Sequence, residues 1–309
     1  MRHAWLYPSD MERNEARAIF GSVIPAMVTP FAEDGSIDFD AAARLADHLV
    51  GQGCDGILLS GTTGESPTTH TPEKNELIRV VKEAVGDRAR IMAGAGSNDT
   101  KHAVRIGEQA VESGADSLLV VSPYYNKPSQ EGIAAHILAV ADAGGVPVMV
   151  YDIPGRTGVK IGPECSERIA EHPQIVAFKE ATGDVVGGIA RGRATGTAVY
   201  SGDDALNLGF LTHGGVGVVS VVAHVAADRY RAMVDALDAG DLARAAEIHH
   251  EVLPLVDAVM GEGLGAVMAK TAVALQGHLP AASFRLPLTA ATSAQVARLR
   301  SAMEALNYL

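Results

Sequence analysis

Side chains that could carry out carbonyl chemistry stand at the ends of apolar segments. Lys179 and Tyr151 each end such a segment, and Thr62 and Thr63 follow a third. A lysine among apolar neighbours loses part of its charge, and the neutral amine is the form that attacks a carbonyl carbon. A phenol can carry protons for the resulting imine. Arg156, which lies between two glycines, could bind a carboxylate through both guanidinium nitrogens.

The elements that must position these residues form a repeating pattern, in which short apolar segments alternate with longer amphipathic ones. The segments predicted to be strands are Val23–Val28, Gly56–Ser60, Arg90–Ala93, Ser117–Val121, Pro147–Tyr151, Ile175–Lys179, Ala198–Ser201 and Val216–Ser220. The helices predicted between them include Asp40–Gln52, Pro72–Val85, Thr100–Ser113, Gln130–Ala143 and Pro163–Glu171. Strands separated by helices form a parallel sheet, and eight such units close a (β/α)8 TIM barrel. The predicted fold class is therefore α/β, with reactive residues at the C-terminal ends of the strands.

Three regions divide the chain. Residues 1–20 are predicted to be an N-terminal extension, because the strand–helix pattern starts only at Val23. Residues 21–238 are predicted to form the catalytic barrel. After Ser220 the strand pattern stops, and Ala- and Leu-rich helical periodicity continues to the end. Residues 239–309 are therefore predicted to form a C-terminal helical region.

Side chains alternate between the two faces of a strand, and this alternation predicts which face Lys179 occupies. Ile175 and Ala177 are predicted to share the face of Lys179, and Val176 and Phe178 to share the opposite face. If the Phe178 face packs on the helices, Lys179 points into the barrel mouth. A lysine paired with a carboxylate inside the barrel remains an equal alternative at this point. Taken singly, Tyr151, Arg156 and the two threonines also have ordinary structural interpretations, and only their joint placement favours a site.

Composition excludes several classes of protein. The chain has 25 Lys and Arg against 37 Asp and Glu, a net charge of -12, so nucleic acid and anionic membranes are poor partners. There is no apolar run of the ~18 residues that a membrane span needs, and no signal peptide is recognised, which predicts a cytoplasmic protein. The two cysteines do not suggest a disulfide framework. No P-loop, dinucleotide fingerprint or metal-ligand spacing occurs, so no cofactor and no metal are predicted.

Six motifs together resemble the dihydrodipicolinate synthase family, within the N-acetylneuraminate lyase superfamily of class I aldolases. The motifs are Ala26-Met27-Val28-Thr29-Pro30-Phe31, Gly61-Thr62-Thr63-Gly64-Glu65-Ser66, Ser122-Pro123-Tyr124-Tyr125-Asn126-Lys127-Pro128, Tyr151-Asp152-Ile153-Pro154-Gly155-Arg156-Thr157-Gly158, Lys179-Glu180-Ala181-Thr182-Gly183 and Ser201-Gly202-Asp203-Asp204. The resemblance covers the chain from about Gly21 to Leu309. It implies a (β/α)8 barrel that assembles as a homotetramer of two tight dimers and needs no cofactor.

The resemblance also implies a reaction and its catalytic residues. Pyruvate and L-aspartate 4-semialdehyde would condense to 4-hydroxy-tetrahydrodipicolinate, the first step of the diaminopimelate route to lysine. Lys179 matches the lysine that forms a Schiff base with pyruvate, and Tyr151 matches the proton donor and acceptor. Thr62 matches the hydroxyl that links Tyr151 to a second tyrosine. That second tyrosine matches Tyr125, expected from the neighbouring subunit.

Four further residues match substrate contacts of the family. Thr63 and Val219 match contacts to pyruvate, Val219 through its backbone. Arg156 matches the residue that binds the carboxylate of the semialdehyde. Gly202 lies beside the same pocket.

One part of the family pattern is not kept. In lysine-inhibited members, an allosteric pocket binds L-lysine, and Ser66, Asn98 and Tyr124 match that pocket. Its two histidine positions hold Thr71 and Lys74, and its glutamate position holds His102. Since the acid that pairs with the lysine ammonium is absent, we expect weak or absent inhibition by L-lysine.

Other functions stay open on sequence grounds. N-acetylneuraminate lyase, a keto-deoxy-sugar acid aldolase or a hydroxy-oxoglutarate aldolase would share Lys179 and Tyr151, whereas Arg156 and the pair Thr62-Thr63 favour the synthase. A non-catalytic ligand-binding barrel is the alternative from another class. A pyridoxal-phosphate enzyme would also use a lysine, but no phosphate-binding glycine loop that demands it follows the last strands.

Overall fold

A computed structural model describes residues 10–261 and 263–309, and within them eight parallel strands form one sheet. Residues 1–9, which belong to the predicted N-terminal extension, lie outside the described residues. The strands are β1 Val23–Pro25, β2 Gly56–Leu59, β3 Arg90–Gly94, β4 Ser117–Val121, β5 Val148–Asp152, β6 Ile175–Glu180, β7 Ala198–Ser201 and β8 Gly217–Ser220. Their spatial order is β1-β8-β7-β6-β5-β4-β3-β2.

The sheet closes on itself between its first two strands. Ala26 forms a parallel bridge with Leu58, and Met27 N donates to Leu58 O at 2.9 Å. Each strand therefore has a neighbour on both sides, as a barrel requires. The predicted (β/α)8 barrel is confirmed.

Helices follow the strands on the outside of the barrel and extend the chain beyond it. They are α1 Asp10–Phe20, α2 Phe39–Gly51, α3 Thr71–Val85, α4 Thr100–Glu112, α5 Gln130–Gly144, α6 Pro154–Thr157, α7 Pro163–Ala170, α8 Val185–Thr195, α9 Asn207–Thr212, α10 Ala223–Asp238, α11 Leu242–Met260, α12 Gly265–Leu275 and α13 Ser293–Ala305. Over the described residues, no single helix is both long and apolar enough to cross a bilayer. Helices α11 and α12 reach that length and composition only when taken together, and they are bent by 112° at their break.

The barrel interior has its own apolar core, separate from the layer between sheet and helices. Inward-facing side chains such as Leu58, Met92 and Met149 fill it. Helix α1 closes its N-terminal end, where the Phe20 ring lies edge-on to Tyr200 with centroids 5.9 Å apart. Because both aromatic side chains are completely buried, the interior is packed rather than open at this end.

Strand β6 departs from simple alternation near its start. Ile175 pairs with Val148, but the next residue of β5, Met149, pairs with Ala177. The extra residue in β6 places Ile175 in the outer core, while Val176 packs against the inner one. The prediction that Ile175 shares the face of Lys179 is therefore wrong. The prediction that Val176 and Phe178 share the opposite face is wrong as well. From Ala177 onward the predicted alternation holds.

A buried ion pair connects the C-terminal helices to the loop after β2. Lys270 of α12 donates to a carboxylate oxygen of Glu65 and, at 2.9 Å, to Ser283 O. The side chains of Lys270 and Glu65 are almost completely buried, and Lys270 Nζ also lies 4.2 Å from the centroid of the Phe31 ring. Buried charges persist only when paired, so this pair fixes the loop in position.

Candidate active site

Lys179 lies at the C-terminal end of β6 with its side chain inside the barrel mouth. The residue is only 5% exposed. Its Nζ lies 4.1 Å from the centroid of the Tyr151 ring, and the two residues are register partners in neighbouring strands. Gly202, after β7, leaves the space that the lysine occupies, because a Cβ there would lie 2.9 Å from both Cγ and Cε of Lys179.

Burial leaves this lysine with little preference for its charged form. It lowers the pKa of Lys179 from 10.5 to about 7, with a smaller lowering from Arg156, while Asp204 acts in the opposite direction. Within the part of the chain that the structure describes, no carboxylate lies within ion-pair distance of Nζ. The alternative of a lysine neutralised by a barrel carboxylate is therefore not what the geometry supports. At neutral pH, a large fraction of this amine is a nucleophile.

Tyr151 keeps its proton over the same range of pH. Burial raises the pKa of its phenol to about 12, which Asp203 reinforces and Arg156 opposes. Among the described residues, no hydrogen bond joins Tyr151 to Thr62 or Tyr125. A protonated phenol beside a neutral amine is suited to giving a proton to oxygen as bonds change at carbon.

The loop after β2 presents Thr62 and Thr63 to the same cavity. Thr63 is buried, whereas Thr62 is exposed at the surface of the loop. The loop is held by a hydrogen bond of 2.7 Å from Thr29 Oγ1 to Gly64 O and by the ion pair of Glu65 described above. Both threonines are thus carried on a fixed turn at the C-terminal end of the barrel.

Of the remaining predicted site residues, two line the cavity and two do not. Arg156, on the short helix α6, is exposed and lines the cavity, as does Gly202. Val219 is buried in the barrel interior and does not line the cavity, whereas Val221 does. Tyr125 is 88% exposed, has a φ of 75°, and also does not line the cavity of its own chain.

A cavity of about 670 Å³ brings most of these side chains together. Over residues 10–261 and 263–309, its lining includes the cationic side chains Lys74, Arg156 and Lys179 but no Asp or Glu. The chain as a whole carries a net charge of -12. Local charge therefore opposes overall charge, and the cavity is suited to small anions. No group of His, Cys, Asp and Glu among the described residues is arranged to hold a metal ion.

Sequence reasoning assigned no role to Asp204, which organises the floor of the site. Its carboxylate accepts hydrogen bonds from Val221 N at 2.9 Å, from Val222 N at 3.1 Å and from the Ser220 hydroxyl. It thereby fixes the turn after β8 and places a negative charge near Lys179. The sequence feature that could have indicated this role was the second aspartate of the motif Ser201-Gly202-Asp203-Asp204.

Sequence reasoning also missed Arg191, which lies behind the site on α8. One end of its guanidinium pairs with Asp152, and the other lies 3.1 Å from Glu180 Oε2. These acids directly follow Tyr151 and Lys179, and their side chains point to the outer face of the sheet. Arg191 therefore joins the ends of β5 and β6 on the side away from the cavity. Nothing in the spacing of the sequence indicates this pairing.

Comparison with known proteins agrees with the geometry. The model of the dihydrodipicolinate synthetase family matches residues 19–306. The 4-hydroxy-tetrahydrodipicolinate synthase of Mycolicibacterium paratuberculosis is 51% identical over 295 residues, covering 96% of this chain and 98% of the relative. A protein of Streptomyces coelicolor named 4-hydroxy-tetrahydrodipicolinate synthase 2 is 52% identical over 287 residues, covering 91% and 93%.

Solved structures give the same result. The crystal structure of the enzyme from Cyanidioschyzon merolae with lysine bound superposes with a TM-score of 0.90 at 43% identity, covering 94% of this chain and 99% of that one. The match extends over barrel and C-terminal helices alike. The resemblance that the six motifs indicated is confirmed, and this chain belongs to the dihydrodipicolinate synthetase family.

Proposed function

We propose that this chain condenses pyruvate with L-aspartate 4-semialdehyde to give 4-hydroxy-tetrahydrodipicolinate, in the diaminopimelate route to lysine. The activity would be that of a carbon–oxygen lyase of the class I aldolase type. One observation carries the proposal: the buried amine of Lys179 lies 4.1 Å from the Tyr151 ring, in a cavity whose described lining has no carboxylate. The names of the close relatives support the choice of substrates.

The first step joins Lys179 to pyruvate. The neutral amine attacks the keto carbon of pyruvate, water leaves, and the protonated imine remains. Tyr151 moves protons to and from the departing oxygen. Thr63 and the backbone around Val219 hold the pyruvate carboxylate.

The second step forms the carbon–carbon bond. Loss of a proton from the methyl group of the imine gives an enamine, whose carbon attacks the aldehyde of the semialdehyde. The aldehyde oxygen takes a proton from Tyr151, and Arg156 holds the substrate carboxylate. The amino group of the bound substrate then attacks the imine carbon, closes the ring and releases Lys179. The sum is one water lost for each product formed, with no electrons exchanged, so no cofactor is needed.

A second copy of the chain completes the proton relay in this proposal. Tyr125 is 88% exposed and does not line its own cavity, whereas the exposed Thr62 does. An aromatic side chain this exposed is suited to an interface, and from a tight dimer Tyr125 can reach Thr62 of the other protomer. Two such dimers would form the homotetramer, and its place of action would be the cytoplasm.

Borohydride trapping tests the amine chemistry directly. The protein is incubated with pyruvate and sodium borohydride, digested, and analysed by mass spectrometry. We expect the peptide that contains Lys179 to gain the mass of pyruvic acid less one oxygen atom, because reduction fixes the imine. Lys179→Met should lose this adduct, and Lys127→Met, which removes an exposed lysine near the site, should keep it.

Coupled assays then decide the second substrate. Turnover of L-aspartate 4-semialdehyde at a rate well above that of N-acetylmannosamine, sugar-acid aldehydes or glyoxylate supports the proposal. An adduct on Lys179 with turnover of another aldehyde instead would assign the chain to a sister aldolase. Failure to form any adduct would leave a ligand-binding barrel as the better description.

A further inference from the structure

Ser60 lines the cavity, and the proposed reaction assigns it no role. It directly follows β2, in which Leu58 belongs to the core inside the barrel and Leu59 to the core between sheet and helices. Continuing this alternation places Ser60 on the inner side. This agrees with its position in the lining of the cavity that also contains Lys179 and Tyr151. The residue is only 3% exposed.

The hydroxyl of Ser60 is buried without a hydrogen bond. In the described part of the chain, its Oγ has neither a donor nor an acceptor in hydrogen-bonding geometry. Ala26 and Leu58, which pair across β1 and β2 and line the same cavity, are apolar. A hydroxyl that leaves water and finds no partner destabilises the folded state. A hydrogen-bonding group of a ligand would remove this penalty.

The backbone at Ser60 is strained as well. Its φ is 54°, in the left-handed region that glycine adopts readily and residues with a side chain adopt rarely. The surrounding structure holds this conformation closely, because a Cβ on Gly94 of β3 would lie 2.2 Å from Ser60 O. A glycine at position 60 would relieve the strain and remove the unpaired hydroxyl together. Strained residues of this kind cluster at ligand sites.

We propose that the Ser60 hydroxyl donates a hydrogen bond to the carboxylate of the keto acid bound at Lys179. The inference rests on the proposed function, because it uses the pyruvate imine. The carboxylate is the acceptor that persists, since the keto oxygen leaves as water when the imine forms. A hydrogen bond to a charged oxygen is also stronger than one to a neutral oxygen. Thr63, three residues further along the same turn, is already assigned to this carboxylate.

This contact makes Ser60 a residue that selects the first substrate. A keto acid pairs the buried hydroxyl, whereas a ketone without a carboxylate leaves it unpaired. The difference acts on binding, because the carboxylate is present before and after the imine forms. Ser60 therefore holds the substrate and moves no proton in the reaction.

The dependence of trapping on pyruvate concentration tests this contact. The chain is incubated with increasing pyruvate and a fixed concentration of sodium cyanoborohydride, and mass spectrometry gives the initial rate of adduct formation on Lys179. In Ser60→Ala, the half-saturating pyruvate concentration should rise about tenfold or more, because a hydrogen bond to a charged group is lost. The maximal rate should change little, since the amine is untouched.

Ser117→Ala is the matched control. The hydroxyl of Ser117 is also buried without a hydrogen bond among the described residues, but it lies at the N-terminal end of β4 and does not line the cavity. Half-saturation should therefore stay unchanged in this variant. Ser60→Gly, which accepts the positive φ without strain, is a second test variant. It should bind pyruvate as weakly as Ser60→Ala and melt at a higher temperature than the unmodified chain.

Each outcome of the experiment has a definite meaning. A raised half-saturation in both variants of Ser60, with none in Ser117→Ala, supports the contact. Unchanged half-saturation in the variants of Ser60 overturns it, as does a lower maximal rate alone, which shows a displaced amine. An equal rise in Ser117→Ala means a general effect of removing a buried hydroxyl and also overturns it. If the unmodified chain forms no adduct at any pyruvate concentration, the proposed function itself fails; adducts in every variant with equal half-saturation contradict only the contact.

Discussion

Arg191 Nη2 donates a hydrogen bond of 2.6 Å to Asp152 Oδ2 behind the barrel, across 39 residues of sequence. Asp152 is completely buried and directly follows Tyr151. The same guanidinium also lies 3.1 Å from Glu180, the residue that directly follows Lys179. The two residues that carry the proposed chemistry are therefore held in register from the opposite face of the sheet.

We predict that Arg191→Met destabilises the fold by about 3–5 kcal/mol, because it leaves two carboxyl groups buried without a cation. Arg193→Met, exposed on the same helix, should change the free energy of unfolding by less than about 0.5 kcal/mol. Denaturant unfolding measures both. Adding Asp152→Asn and Glu180→Gln to Arg191→Met should restore part of the loss, and an unchanged midpoint for Arg191→Met alone would contradict the role of this pair.

The pKa of Lys179 predicts how trapping depends on pH. Since the folded protein holds this pKa at about 7, the neutral amine is depleted about tenfold for each pH unit below it, and so is the initial rate of adduct formation. The rate should level off above pH 8. Quenched borohydride assays between pH 6 and 10 measure the profile. A rate that keeps rising toward pH 10 would show an ordinary lysine.

The same pKa predicts a slope in stability. The unfolded lysine titrates near 10.5 and the folded one near 7, so between these values the unfolded chain binds more protons. The free energy of unfolding should therefore rise with pH across this window, by on the order of a few kcal/mol, and the full cost of the charge is present below pH 7. Lys179→Met should lack this rise. Parallel curves for the two proteins would contradict the lowered pKa.

Gly202→Ala should displace the amine of Lys179 and so slow its reaction with pyruvate, although the lysine itself is still present. The added Cβ would lie 2.9 Å from Lys179 Cγ and Cε and 3.1 Å from Glu180 O, so the lysine must move. We expect kcat/KM for pyruvate to fall about 10²-fold from misplacement and stability to fall by about 1–3 kcal/mol. Gly51→Ala meets nothing within 4 Å and serves as the control. Normal trapping kinetics in Gly202→Ala would contradict the close approach.

We predict that L-lysine inhibits weakly or not at all. The buried Lys74 ammonium lines the cavity. By the resemblance described above, L-lysine would bind beside it and bring a second ammonium, and like charges at close range cost several kcal/mol. The rate measured with saturating pyruvate should be nearly unchanged at about 1 mM L-lysine by this argument. Half-inhibition at submillimolar L-lysine would show that the pocket tolerates the cation.

Much of the barrel could be predicted from sequence because local patterns determine it. β4 and β7 have the predicted bounds. Each of the other strands differs from its own predicted bounds by a few residues at its ends. The sequence predicted that Lys179, Tyr151 and Arg156 lie close together, because strand ends of a barrel share one rim. In the structure all three line one cavity, and their catalytic roles stay predictions. The prediction failed at Ile175, where one extra residue in β6 interrupts alternation, and alternation alone has no means of indicating such a bulge.

What the sequence did not reveal depends on tertiary pairing. Arg191 meets Asp152 only because α8 packs on the outer face of the sheet at β6, beside β5. Lys270 meets Glu65 only because α12 folds back over the rim. Neither pair has a fixed spacing that a motif could record. Asp204 stood in a motif that was recognised, but its hydrogen bonds to the turn after β8 become visible only in three dimensions.

The pair between Lys270 and Glu65 has a consequence for the order in which the chain matures during synthesis. Glu65 leaves the ribosome 205 residues before its cation does. Until then the threonine turn carries a carboxylate that lacks the cation it is paired with in the folded chain. A nascent barrel that lacks α12 is therefore not ready to receive a keto acid, and competence is acquired only after α12 has been synthesised and has packed on the barrel.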